Sequence, residues 1–244
     1  GNLVGLGRGN IPNTINSITA YMSLLGQKLV SQRDIQEVCL RRAAELGRLV
    51  DELLSMSKIE AGLVELNPSE VNLSGVVAEA VELYVPVGKQ KEVRIAADCP
   101  DALTLFCDET RVQESLTTLL HIMVSLCPAG ETVQAAVTGE AEAVTFAVSS
   151  AGGGFRPEEA DAVFEPATDA DKVPAGYDLG MMLGLAIVKK LAGVMGGTAW
   201  AASAGENEGA TFAFRLPRPK GDTLSRAQAR YEQSLAAHRR WVTG

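Results

Sequence analysis

The chain has 244 residues, of which 46% are hydrophobic, and its formal net charge is −8. This length suits one large domain or two small ones, and the composition allows a substantial core. The acidic balance argues against nucleic-acid binding, which depends on lysine and arginine neutralising phosphates. No apolar stretch reaches the ~20 residues that a membrane span needs, and none has the features of a signal peptide. We therefore expect a cytoplasmic segment without membrane contact.

The cysteines are too scattered for a zinc site, which needs close pairs. There are four of them, at Cys39, Cys99, Cys107 and Cys127, each in or beside an apolar segment. Free cysteine is among the most frequently buried residue types. We expect all four to be reduced core residues of a cytosolic protein, and we predict no metal site.

The first part of the chain carries apolar residues at the spacing of a coiled coil. A polar turn at residues 31–33 separates two such stretches, and a glycine cap at Gly62 ends the second. Two antiparallel helices that pair with a second copy would form a four-helix bundle, so we predict a homodimer. Packing of the hairpin on its own downstream domain is the alternative. The predicted dimer seam comprises Ile11, Ile15, Ile18, Met22, Leu25, Leu46, Leu49 and Leu53.

From residue 63 the pattern changes to mixed α/β. Helices are predicted over 73–87, 109–126 and 183–195. The segment 151–180 is rich in glycine and proline and is too long for an ordinary connection, so it is either a functional lid or a floppy loop. Strands are predicted over 63–66, 93–97, 104–107, 132–137, 144–149, 198–202 and 210–216.

The tail at 218–244 differs from the rest of this acidic protein. It holds six Lys or Arg against two acidic residues. The tail could dock on the body, contact a partner or lead to a further domain. One face of a helix there would carry Leu224, Tyr231, Leu235, His238 and Val242.

Four motifs in this order resemble the core of sensor histidine kinases. They are the LLSMSKIEAG segment at 53–62, VFEP at 163–166, GLAIV at 184–188 and MGG at 195–197. The resemblance implies an α+β fold: an N-terminal antiparallel helical hairpin, which becomes a four-helix bundle in a dimer, then an α/β sandwich of the histidine-kinase ATPase type. It divides the chain into a dimerisation domain at 1–62, an ATPase-like domain at 63–217 and the tail at 218–244.

The resemblance also shows where the family's chemistry is missing. Family members phosphorylate a histidine early in the first helix, and Gly9 stands at that position. They hold Mg²⁺ through an asparagine, a hard oxygen ligand, but Ile122 stands there and cannot ligate a metal. Ser125 replaces the lysine that usually follows.

The nucleotide-binding glycine boxes are only partly retained. Ser150 stands where the family has the aspartate that binds adenine, and a charged hydrogen bond of that kind is worth about 1.5–3 kcal/mol. Met182 replaces the middle glycine of the second box and is expected to crowd the phosphates. The retained glycines are Gly152, Gly154, Gly180 and Gly184.

These substitutions together predict a catalytically degenerate histidine kinase. We expect no bound ATP or Mg²⁺ and a dimeric signalling scaffold that binds a response-regulator receiver domain or another histidine kinase. Two alternatives remain open. The first is a kinase that binds ATP in an unusual way and phosphorylates a histidine in trans; the second is a phosphotransfer protein, which the absence of a histidine near Gly9 disfavours.

Overall fold

The computed structural model describes residues 32–165, 173–174 and 176–219 of an α+β protein. A long helix, α1 (Gln32–Glu60), precedes the mixed part of the chain. Three further helices follow: α2 (Leu73–Lys91), α3 (Glu109–Leu126) and α4 (Leu179–Val194). The strands are β1 (Ser69–Asn72), β2 (Arg94–Asp98), β3 (Thr104–Cys107), β4 (Thr132–Gly139), β5 (Ala143–Ser150), β6 (Thr198–Ser203) and β7 (Ala210–Pro217).

The main sheet has five strands in the order β2-β4-β5-β7-β6. Only the β2–β4 pair is parallel, and the remaining pairs are antiparallel. Along β5 the buried positions Val144, Phe146 and Val148 alternate with partly exposed ones, which is the pattern of a sheet covered on one face. Helices α2, α3 and α4 all contact this sheet. A separate two-stranded sheet pairs β1 with β3.

Side-chain caps set the starts of the helices that carry the candidate site. Asp108 accepts a hydrogen bond from the backbone N–H of Arg111 at 3.0 Å and so caps α3. Its second oxygen accepts from the N–H of Asn67 at 2.7 Å, which ties the preceding loop to the same point. Asp178 caps α4 in the same way. Removing such a cap typically costs ~1 kcal/mol.

The last turns of α1 pack against α4. Met56 is fully buried there with Leu183, Ile187 and Leu191, and Leu53 borders this cluster. The Lys190 ammonium lies 3.1 Å from Glu60, but this pair is exposed and adds little. The end of α1 therefore packs on the domain that follows it in the same chain, as the alternative to dimerisation predicts for this part.

Most predicted elements are confirmed, and α3 and β3 have the predicted bounds. The strand predicted at 63–66 is wrong, because this segment has no regular structure and the strand that pairs with β3 begins at Ser69. Two residues of the turn predicted at 31–33 are helical instead, because α1 already begins at Gln32. Helix α4 begins four residues earlier than predicted, at Leu179 rather than Leu183.

The predicted end of α1 is confirmed together with its glycine cap. Gly62 has a φ of 67°, a left-handed conformation that favours glycine. The N–H of Leu63 donates to the carbonyl of Lys58, and that of Gly62 donates to Ile59. This pair of bonds is the Schellman arrangement, which satisfies the last carbonyls of a helix.

The predicted first helix and most of the predicted tail lie outside the described residues. So do the seam residues Ile11, Ile15, Ile18, Met22 and Leu25, as well as Gly9. In α1, Leu49 is buried, Leu53 is partly buried, and the side chain of Leu46 is among those not described. The four-helix bundle and the division into three domains therefore stay predictions. Among the described residues, no helix is long and apolar enough to cross a membrane.

All four cysteines are free, as predicted, but only two belong to the core. Cys107 and Cys127 are buried, whereas Cys39 and Cys99 are only partly so. Burial, reinforced by the neighbouring Asp108 and Glu109, raises the pKa of Cys107 to about 12. Its thiol therefore stays protonated at neutral pH and behaves as a small apolar side chain. Among the described residues, no group of histidine, cysteine and carboxylate side chains has the arrangement of a metal site.

The packing of α1 on α4 gives a first testable prediction. We expect Met56→Ala to lower the free energy of unfolding by about 2–5 kcal/mol, because a fully buried side chain leaves a cavity. Leu63→Ala is the control, since its side chain is 70% exposed and its removal should change stability by no more than about 0.5 kcal/mol. Urea unfolding followed by circular dichroism measures both. Equal effects would contradict the α1–α4 contact.

Candidate functional site

The residues aligned with the family's nucleotide site make two separate contacts with α3 and its end: Gly184 of α4 meets Ile122, and Ser150 at the end of β5 meets Cys127. Ile122 lies on α3 and Ser150 ends β5. Gly180, Met182 and Gly184 lie in the first half of α4. Of the predicted site residues, only Ser125 is partly exposed. The others are buried: Ile122, Ser150, Gly152, Gly154, Gly180, Met182 and Gly184.

Ile122 fills the position where the family has its magnesium ligand. Its side chain is 1% exposed. A β-carbon placed on Gly184 would lie 3.5 Å from Ile122 Cδ1 and 3.0 Å from the methyl group of Thr118. Helix α4 therefore lies directly against α3 at this point, and an apolar side chain occupies the space between them. An aliphatic carbon cannot replace the oxygen ligands that Mg²⁺ requires.

Ser150 is engaged in hydrogen bonds within the chain. Its hydroxyl lies 3.1 Å from the sulfur of Cys127 and accepts from the N–H of Gly152 at 3.2 Å. Ser150 itself is 8% exposed. A neutral hydroxyl occupied in this way is a weaker partner for an adenine amino group than the carboxylate that it replaces.

The first glycine box is retained because the fold needs it. A β-carbon on Gly152 would come within 2.3 Å of Pro128 Cδ, and one on Gly154 would approach the carbonyl oxygen of Gly205 even more closely. Gly153 has a φ of 74°, which also favours glycine. These glycines are therefore explained by packing without a nucleotide.

Asp178 is a site residue that the sequence reasoning missed. Its carboxylate accepts a hydrogen bond from the N–H of Met181 at 2.7 Å, at the start of α4. A helix N-terminus attracts phosphate because it presents free N–H groups and a partial positive charge. Here a carboxylate of the chain already takes that role, and its charge repels a phosphate. The pattern of an aspartate three residues before Met181 could have revealed the cap.

An aromatic cluster joins both ends of the glycine- and proline-rich segment 151–180 to β7. Phe155 and Tyr177 meet edge to face with ring centroids 6.1 Å apart, and both pack on Phe212. Burial, with a smaller effect of Glu159, raises the pKa of Tyr177. Its hydroxyl is buried and has no hydrogen-bond partner among the described residues. The cluster belongs to the main core.

Beside Ile122 there is a cavity of about 520 Å³ between α1, α2 and α3. Such a volume is within the range of small-molecule sites. Its walls, however, include three carboxylates, those of Asp51, Glu52 and Glu114. A nucleotide triphosphate is strongly anionic, so this lining opposes its binding. The remaining walls include Ser55, Tyr84, Thr118, His121 and Ile187.

Comparison with known proteins relates part of this chain to a known family. Residues 107–220 match the model of the family described as histidine kinase-, DNA gyrase B-, and HSP90-like ATPase. The sensor-like histidine kinase SenX3 of Mycobacterium tuberculosis is 28% identical over 218 residues, which are 85% of this chain and 52% of SenX3. This chain therefore contains a histidine-kinase-like core. It spans about half the length of the SenX3 proteins that it matches.

Solved structures of histidine kinases share the fold. Acinetobacter baumannii histidine kinase AdeS has a TM-score of 0.70 and 18% identity, and the match covers 86% of this chain and 98% of that one. Histidine kinase ThkA in complex with the response regulator protein TrrA has a TM-score of 0.67 and 20% identity. That match covers 85% of this chain and 58% of the other. At these identities the likeness concerns the fold alone.

The close contact of α3 and α4 predicts that two glycines of one helix respond differently to substitution. Gly193→Ala, on an exposed part of α4 with nothing near its β-carbon, should stabilise the protein by up to about 1 kcal/mol. Gly184→Ala should instead lower the free energy of unfolding by about 1–3 kcal/mol, because its methyl group would crowd Thr118. Thermal unfolding of the two variants measures the difference. A Gly184→Ala protein as stable as Gly193→Ala would show that α4 does not lie against α3.

Proposed function

We propose that this histidine-kinase-like core is catalytically degenerate and acts as a dimeric signalling scaffold. The observation that carries the proposal is Ile122, which is buried between α3 and α4 at the position of the family's magnesium ligand. Ile122 offers no oxygen ligand, so this position cannot hold Mg²⁺ as the asparagine of the family does.

Two further features support the loss of nucleotide binding. The Asp178 carboxylate occupies the start of α4, where phosphates would otherwise find free N–H groups. Ser150 replaces the adenine-binding aspartate, and its hydroxyl already forms hydrogen bonds with Cys127 and Gly152. Each change alone weakens binding, and together they affect adenine, metal and phosphates at once.

The proposed partners are a receiver domain or another histidine kinase. Support comes from ThkA, a histidine kinase of the same fold whose structure was solved in complex with its response regulator. The coiled-coil spacing of the apolar residues in the first 62 residues supports a homodimer. In this proposal the hairpin provides the docking surface, and the ATPase-like lobe serves as a rigid body attached to α1 through Met56.

The structure offers little support for the alternative of an active kinase that works in trans. The retained glycines favour this alternative, but the contacts of Gly152, Gly154 and Gly184 explain three of the four by packing. The cavity beside Ile122 could in principle admit a ligand, but its three carboxylates disfavour an anionic nucleotide.

Isothermal titration of the full chain with ATP, with and without Mg²⁺, tests the proposal. We expect no binding heat at millimolar nucleotide, which corresponds to a free energy of binding weaker than about −4 kcal/mol. A thermal melt of the same sample confirms that the protein is folded, and light scattering of the sample should give the mass of two chains. Binding that Mg²⁺ tightens would contradict the proposed loss of the metal site. A monomeric mass would contradict the scaffold.

A further inference from the structure

The cavity beside Ile122 continues into a second cavity along α3. The second cavity has a volume of about 580 Å³ and lies between α2 and α3. Glu114 and Thr117 line both cavities, so the two adjoin. We use the term acidic trough for the joined space, which runs along α3 from Glu109 to Ile122, a length of ~20 Å at the rise of an α-helix.

The acidic trough carries an excess of negative charge. Carboxylates from three helices line it, and no lysine or arginine is among the described residues of its walls. Glu114 is paired with Arg111 at 2.8 Å, but the part of the chain that the structure describes contains no ion pair of the other wall residues. Such a concave, single-sign surface concentrates cations. The lining carboxylates are those of Asp51, Glu52, Glu79, Glu109 and Glu114.

Hydrocarbon and aromatic surface lies between these carboxylates. Leu83 of α2 borders the trough and is 63% exposed. Tyr84, the next residue, borders the half beside Ile122, and its ring centroid lies 6.2 Å from that of His121. An aromatic ring attracts an ammonium group, and an exposed leucine covers methylene groups. These walls therefore suit a cation with a hydrocarbon chain.

One acceptor in the trough lacks a donor. Oε1 of Gln113 is buried and has no hydrogen-bond partner among the described residues. Buried polar atoms in folded proteins are normally hydrogen-bonded. The nearby carboxylates only accept, and the hydroxyl of Thr117 already donates to the backbone carbonyl of Gln113 at 2.8 Å. A ligand with several N–H donors supplies what these walls do not.

The spacing of the carboxylates distinguishes between kinds of cation. Among the residues that the structure describes, no three histidine, cysteine or carboxylate side chains converge in the way a metal ion requires. Ca²⁺ and Mg²⁺ need several oxygen ligands around one point. A linear polyamine carries its ammonium groups three or four methylenes apart, so each group can meet a different carboxylate along the trough.

We propose that the acidic trough binds a linear polyamine. One end of the ligand lies at Asp51 of α1, its middle at Glu114, and its other end between Glu79 and Glu109. Its methylene groups lie along Leu83 and Tyr84. The bound polyamine bridges α1 to α2 and α3 and so stabilises the packing of α1 on the rest of the chain. This site takes a cation and does not depend on whether the protein binds ATP.

Isothermal titration of the full chain with spermine at low ionic strength tests the proposal. We expect one spermine per chain, and Glu79→Gln with Glu109→Gln should raise the Kd about 3- to 30-fold, because two exposed ion pairs are lost. Asp51→Asn, at the other end of the trough, should raise the Kd about 2- to 5-fold.

The matched control removes the same charge elsewhere. Glu131 and Glu208 are exposed, form no ion pair among the described residues and do not line the trough. Glu131→Gln with Glu208→Gln should therefore change the Kd by less than about twofold, because screened charges outside the site contribute little. Thermal melts of all variants without ligand, unchanged from the parent, show that the differences do not come from unfolding.

Four outcomes would overturn the proposal. Spermine that does not bind would exclude the site. A control pair that weakens binding as much as the trough pair would show attraction to the net charge of −8 alone. An unchanged Kd for Asp51→Asn would show that the ligand does not reach α1. Putrescine, a diamine, that binds as tightly as spermine would show that the two ends of the trough do not act together.

Discussion

The contact between α3 and α4 at Ile122 and Gly184 determines what the rest of this protein can do. The two helices lie within van der Waals distance of each other through an isoleucine and a glycine. Gly184 permits the approach, and Ile122 makes it favourable by burying its whole side chain. The same substitution that removes a metal ligand therefore also adds to the core.

Other features depend on this contact. Because α4 is fixed against α3, its adjacent face presents Leu183, Ile187 and Leu191 to Met56 of α1. A movement of α4 to admit a nucleotide would disturb that cluster as well as the Asp178 cap. The proposed loss of nucleotide binding and the fixed position of α4 thus have one physical cause. Such a lobe can hold α1 in a defined position, which suits a scaffold that presents a helical hairpin to a partner.

Helices and strands are predicted well from the sequence where a capping residue or an apolar pattern marks their ends. The bounds of α3 follow from the Asp108 cap and an amphipathic pattern. Strand β1 was misplaced because only Val71 of its four residues is buried, and its partner β3 lies some thirty-five residues away. Asp178 is not identified as a cap from the sequence, because the glycine box places the predicted start of α4 at Leu183. The packing of α1 on α4 joins residues about 130 positions apart, and no local pattern indicates such a contact.

A crystal structure of the full chain soaked with a non-hydrolysable ATP analogue and Mg²⁺ tests the central claim most directly. The account predicts no nucleotide between α3 and α4, with the Ile122 side chain still packed beside Gly184 and the Asp178 carboxylate still bonded to the N–H of Met181. Phosphates at the start of α4, with a metal beside Ile122 and the two helices moved apart, would contradict it.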